Sequence, residues 1–86
     1  MYEVDVTEEA KRGLRKAPVR DRGRIYEAID ELSREPRHAR SKKLGGTSLH
    51  RVRVGDWRVI YEVFDRRGIV AIVRVVRRSE STYRDL

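Results

Sequence analysis

The sequence predicts a single α+β domain spanning residues 1–86, with a helical hairpin packed on one face of an antiparallel sheet in the order β-α-α-β-β-β. Three observations lead there. The first half places apolar residues at helical spacing and is interrupted once by proline. The second half holds three runs that alternate every second residue, separated by short turns. With 86 residues, the chain has material for one thin core, since a domain of this size buries only about 60% of the surface its unfolded chain exposes.

Tyr2 to Val6 alternates, with Tyr2, Val4 and Val6 on one side and Glu3 and Asp5 on the other, as in a short strand. Thr7 is a good helix N-cap, and Glu8 and Glu9 suit the positive end of the helix that follows. Ala10, Leu14 and Ala17 form its apolar stripe. Gly13 weakens it slightly, and Pro18 stops it. A second helix is expected from Val19, with Ile25, Ala28, Ile29 and Leu32 on its buried face. Pro36 ends it, because the residue before a proline avoids helical geometry. Arg37 to Thr47 reads as a basic connector. Leu49 to Val54, Trp57 to Asp65 and Ile69 to Val76 read as three strands, joined at Gly55-Asp56 and Arg66-Arg67-Gly68.

Charge is the loudest global signal. The chain carries 21 Lys and Arg against 14 Asp and Glu, a net charge of +7. The excess is localised: from Arg37 to Arg58 there are seven basic residues, and Asp56 is the only acid. Such a distribution suits a polyanionic partner. With no cysteine and two histidines, neither a disulfide framework nor a metal centre is expected. No signal peptide or bilayer-spanning run is visible, so the expectation is a cytoplasmic protein that does not meet a membrane.

Strand parity assigns the faces. His50, Val52 and Val54 share one side of their strand, and Arg51 and Arg53 share the other. Trp57, Val59, Tyr61 and Val63 oppose Arg58, Ile60, Glu62 and Phe64. In the last strand, Ile69, Ala71, Val73 and Val75 oppose Val70, Ile72, Arg74, Val76 and Arg78. If the all-apolar sides meet the helices, Arg51, Arg53, Arg58, Arg74 and Arg78 gather on the open face, with aliphatic bulk from Ile60, Ile72 and Val76. Like charges so close repel, and an anionic ligand accounts for their collection. Arginine suits phosphate, because its planar fork donates paired hydrogen bonds and stays charged at any physiological pH. Lys42, Lys43, Arg74 and Arg77 are further RNA-binding candidates. Phe64 and Tyr83 are candidates for stacking splayed bases, whereas Trp57 and Tyr61 belong to the core by parity.

Five segments together resemble the RelE/ParE toxin superfamily over essentially the whole chain: Ala10 to Lys16 (AKRGLRK), Ile29 to Pro36 (IDELSREP), Lys43 to Gly45 (KLG), Arg51 to Val63 (RVRVGDWRVIYEV) and Arg77 to Arg84 (RRSESTYR). In its RelE-like branch, the resemblance implies an endoribonuclease toxin that acts on translated mRNA in the ribosomal A site without a metal or other cofactor. The mRNA 2′-hydroxyl attacks the adjacent phosphate. Carried over by position, the catalytic set is Arg51 and Arg53 on the first meander strand, Arg58 on the second, Arg78 after the last and Tyr83 near the C-terminus. The family's strand pair is lysine in its best-studied branch, and here both are arginine, which is a poor base and a good electrostatic clamp. Glu62 is then a candidate base, or a salt-bridge partner for Arg58 or Arg74. The resemblance also implies a cognate RelB-like antitoxin, and the basic surface predicts an acidic or amphipathic segment in it. The alternatives are a ParE-like gyrase poison and a non-catalytic RNA-binding module.

Overall fold

The computed structural model describes residues 1–38 and 40–78. The chain begins with β1 (Glu3–Val6), followed by α1 (Glu8–Lys16) and α2 (Val19–Arg34). Thr7 caps α1, its hydroxyl oxygen accepting from the Ala10 N–H at 3.2 Å. Arg22 of α2 donates to the Ala17 carbonyl at 2.9 Å. That bond satisfies an orphan acceptor at the end of α1 and locks the hairpin. Glu35 follows the last residue of α2, where the proline at position 36 predicts the stop.

The sheet continues with β2 (Ser41–Lys43), β3 (Leu49–Val54), β4 (Trp57–Phe64) and β5 (Ile69–Arg77). Its order is β1-β5-β4-β3-β2. β1 runs parallel to β5, and every other pairing is antiparallel. Two features correct the expected layout. The basic connector contains a strand, β2, so the sheet has five strands. One edge is parallel because the chain leaves β1 through both helices before it returns as the meander.

A larger correction concerns β5. Tyr61 pairs with Ile72 and the next residue back, Ile60, pairs with Arg74. Val73 is therefore an extra residue, a β-bulge, and it flips the parity of the strand. Val70 and Ile72 face the helices before the bulge and Val75 faces them after it, all three buried. Ile69 and Ala71 pair with Phe64 and Glu62 on the open face. Strict alternation had placed Ile69, Ala71 and Val73 on the helix side and Ile72 on the open side. Thr7 holds the bulge, its hydroxyl lying 3.0 Å from the Ile72 carbonyl and 2.9 Å from that of Val73.

The core lies between the helices and one sheet face. It joins Ala10 and Leu14 of α1 and its C-cap Ala17 to Ile25, Ile29 and Leu32 of α2, and to Val52, Trp57, Val59, Tyr61, Val70, Ile72 and Val75. Gly13 is what lets α1 lie so close: a Cβ built there would collide with the Val75 carbonyl oxygen. Trp57 and Tyr61 are core residues, as parity predicts. The Tyr61 hydroxyl donates to the Pro36 carbonyl at 2.6 Å, and the Trp57 Nε1–H reaches Asp21 at 3.3 Å. No described helix is long and apolar enough to cross a membrane.

Candidate functional site

The ladder sets the open face in rows, because residues directly opposite in adjacent strands project to the same side. One row runs Lys42, Arg51, Ile60, Arg74 across β2, β3, β4 and β5. The next runs Arg53, Arg58, Val76. At about 4.8 Å between strands, the first row spans roughly 14 Å. Two like-charged pairs, Lys42 with Arg51 and Arg53 with Arg58, stand directly opposite each other. Ile60 is the apolar floor, 1% exposed and flanked by Arg51 and Arg74 in the register.

Arg78 joins the same cluster. Its backbone N–H donates to the Asp56 carbonyl at 2.7 Å, which ties the end of β5 to the β3–β4 turn. Electrostatics place it there as well. Partial burial, and then the charges of Arg53, Arg58 and Arg78, push the Arg51 guanidinium below the usual arginine range. Among the described residues, every charge that shifts Arg51 is thus another arginine.

The turn that brings Arg53 and Arg58 face to face is Gly55-Asp56. Gly55 has φ +58° and Asp56 does not take positive φ. A two-residue hairpin with positive φ at its first central residue matches the twist of the flanking strands, and glycine takes it without strain. Beside the turn, Asp56, Arg58, Arg77 and Arg78 line an open hollow of about 430 Å³. Arg77 enters it from the helix side. It pairs with Trp57 in the ladder, and its guanidinium carbon lies over the indole ring at 5.2 Å.

The expected site residues therefore divide. Arg51, Arg53, Arg58, Arg74 and Lys42 share the open face, and Arg78 stands at its end. Arg77 reaches the cluster around the end of the sheet. Lys43 pairs with His50, so it belongs to the opposite face at the β2 edge. Glu62 has the expected parity but sits four residues from Arg58, about 13 Å along the strand, and pairs with Leu49 and Ala71. None of the ion pairs among the described residues uses it, so the expected salt bridge to Arg58 or Arg74 is not formed there. Phe64 is on the open face, six residues from Arg58 and about 20 Å away. Tyr83 lies outside the described residues. His50 is a rim residue stacked on Tyr61, with ring centroids 5.4 Å apart. Burial, then Arg37 and Lys43, hold its pKa below the ordinary value. Sequence reasoning passed over Asp56, which read only as a turn residue. Its place in the hollow depends on Arg77 and Arg78, which the chain delivers more than twenty residues later.

Residues 4–82 match the family model of the ParE toxin of the type II toxin–antitoxin system parDE. The chain belongs to the RelE/ParE toxin family. It is 35% identical to Toxin RelG of Mycobacterium tuberculosis, with 92% of this chain and 93% of that one covered. The toxin–antitoxin complex RelBE2 of the same organism matches with a TM-score of 0.78 and 32% identity, over 88% of this chain and 96% of that one. The archaeal RelE–RelB complex of Pyrococcus horikoshii matches with a TM-score of 0.80 and 30% identity, over 92% and 97%. The isolated RelE toxin of Escherichia coli, at 22% identity and a TM-score of 0.81, shares the fold. This protein is a RelE-family toxin of a toxin–antitoxin system, and its two helices and five-stranded, mostly antiparallel sheet match the RelE structures.

Proposed function

We propose that this toxin is an endoribonuclease that cuts translated mRNA in the ribosomal A site. The observation that carries the reading is the convergence of Arg51, Arg53, Arg58 and Arg78 on one end of the open face, where each of the other three shifts the titration of Arg51. Four guanidiniums held that close, two of them directly opposite, destabilise the bare sheet. They become favourable around phosphate, which accepts paired hydrogen bonds from each planar fork.

The chemistry follows from what arginine does well. The 2′-oxygen of one nucleotide attacks its own 3′-phosphorus, and the bond to the 5′-oxygen of the next nucleotide breaks. A 2′,3′-cyclic phosphate and a 5′-hydroxyl result. Negative charge builds on the non-bridging oxygens in the transition state, and fixed guanidiniums aimed there lower its energy. Arg58 and Arg51 are the central pair, Arg53 and Arg78 grip the flanking phosphates, and Lys42 and Arg74 extend the track. No step needs a cofactor. Tyr83 is the group we assign to the 2′-hydroxyl, on the strength of the family resemblance. Glu62 lies about 13 Å from Arg58 along its strand but diagonally across the β3–β4 ladder from Arg51, and it stays the candidate base.

The neutralising partner is an antitoxin with an acidic or amphipathic segment that covers the arginine rows, and both proteins meet in the cytoplasm. The RelBE2 and Pyrococcus RelE–RelB structures are toxin–antitoxin complexes, which supports a partner of that kind. A gyrase-poisoning reading has one observation in its favour, the ParE name of the family model. Induction of the wild-type chain and of Arg58→Ala in cells, with mapping of mRNA 5′ ends, separates the readings. Cuts within translated frames that vanish in the variant support cleavage. Growth arrest with intact mRNA and broken DNA would replace it by gyrase poisoning, and harmlessness of both chains would leave an RNA-binding module.

A further inference from the structure

The hollow beside the β3–β4 turn contains one residue that phosphate binding does not explain. Of its described lining residues, Arg58, Arg77 and Arg78 are cations and Asp56 is a carboxylate. Asp56 is exposed. None of the ion pairs among the described residues involves it, although three guanidiniums share its hollow. A negative charge in this position weakens the attraction for phosphate. The turn accounts for a short polar side chain after Gly55, but asparagine meets that requirement equally. What the turn leaves unexplained is the charge.

A carboxylate offers two acceptor oxygens and no donor. Among the Watson–Crick edges of the four bases, only guanine presents two adjacent donors, N1–H and the N2 amino group. Adenine and cytosine set one donor beside an acceptor, and uracil sets its single N–H between two acceptors. Single-stranded RNA exposes these edges, and proteins read them while stacking the base on an aromatic or guanidinium plane. Arg77 supplies that plane. Its guanidinium is stationed over Trp57, and Trp57 is fixed in turn by Asp21.

Resting on the reading of this face as an RNA site, we propose that Asp56 is a specificity-determining residue that selects guanine. The base stacks on Arg77, and the Asp56 carboxylate accepts from N1–H and N2–H. Arg58 and Arg78 take the adjoining phosphates.

The test is binding, so it does not depend on cleavage. The probes are fluorescent, uncleavable 2′-O-methyl hexaribonucleotides of uridine with one central guanosine, inosine, adenosine or cytidine, plus the all-uridine chain. Affinity is read by anisotropy at fixed salt. Wild-type protein is expected to favour the guanosine probe about tenfold over adenosine, cytidine and uridine, the discrimination expected of a bidentate base contact. Inosine, lacking the N2 amino group, should fall between. Asp56→Asn keeps the turn, and an unchanged melting temperature verifies it. The variant should lose the guanosine preference and bind the other probes at least as tightly. A wild-type protein that treats all probes alike, that binds none of them, or whose Asp56→Asn variant keeps the preference overturns the proposal. Guanosine selection without mRNA cutting in cells would uphold this proposal and sink the nuclease. Cutting without guanosine selection would do the reverse.

Discussion

Arg53 and Arg58 face each other directly across the β3–β4 ladder. Cross-strand neighbours in such a pair have Cβ atoms about 5 Å apart, and like charges there oppose folding. The same two residues flank the Gly55-Asp56 turn, so the turn fixes their opposition. The site is thus built at a cost in stability.

That cost is measurable. Replacing Arg53 by Gln removes the repulsion, and replacing it by Glu substitutes an attractive pair. With cross-strand pairs contributing roughly 0.2–1 kcal/mol, we expect the melting temperature to rise by a few degrees in the order Glu above Gln above wild type. RNA affinity and toxicity should fall in the same order. Thermal denaturation beside RNA binding checks both trends, and a fall in stability for both variants would contradict the opposition.

Salt dependence reports how many cations meet phosphate. If Arg51, Arg53, Arg58 and Arg78 each meet phosphate of single-stranded RNA, at about −0.7 for each contact, the slope of log affinity against log salt is expected to be at least as steep as about −3, and Lys42 and Arg74 steepen it further. Alanine at any one of the four should make the slope shallower by about 0.7. Lys43→Ala, on the other side of the sheet edge, should leave it unchanged.

Gly13 offers a test of packing. In an exposed helix, Gly→Ala stabilises by up to about 1 kcal/mol. Here the new methyl group meets the Val75 carbonyl, and overpacking costs typically 1–3 kcal/mol. We expect Gly13→Ala to destabilise the fold despite its better helix propensity, as read by urea denaturation.

At the far end of the sheet, Asp65 accepts two hydrogen bonds from Arg37, at 3.0 and 2.9 Å, and one from the Tyr2 hydroxyl at 2.6 Å. The Arg37 bonds, then that from Tyr2, lower its pKa from 3.8 to about 2. A carboxyl depressed in the folded state contributes stability above its unfolded pKa and loses it as pH falls through the folded one. The contribution of Asp65 is therefore intact at pH 5 and fades on the way to pH 2. Asp65→Asn should lower the melting temperature at pH 7 and remove part of the wild-type decline across that acid window. Melting curves at several pH values check the difference in slope.

Much of this was legible in the sequence, because period-two alternation is a strong signal in strands that bury one face. Arg51, Arg53 and Arg58 take the predicted side for that reason, and Trp57 and Tyr61 take the core. The rest was hidden for particular physical causes. Val73 is one more β-branched residue in an apolar run, and nothing local marks it as a bulge. The carbonyls of Ile72 and Val73 that define the bulge are held by Thr7, more than sixty residues away. β2 escaped notice because Ser41–Lys43 is short and polar, and it pairs only because β3 leaves an edge open. Gly13 read as a weakness of α1, since the surface it touches belongs to a strand that follows much later.

Cleavage at the arginine cluster by the substrate's own 2′-hydroxyl is tested most directly by the ends it leaves. Purified toxin should be mixed with ribosomes holding a defined mRNA, one copy with ribose throughout and one with a single 2′-deoxynucleotide at the A-site position that is cut. The account predicts a 2′,3′-cyclic phosphate and a 5′-hydroxyl on the ribose copy, no cut in the deoxy copy, and a rate at least about 100-fold lower for Arg58→Ala. Cutting of the deoxy copy, an undiminished rate in the variant, or intact mRNA throughout would contradict it.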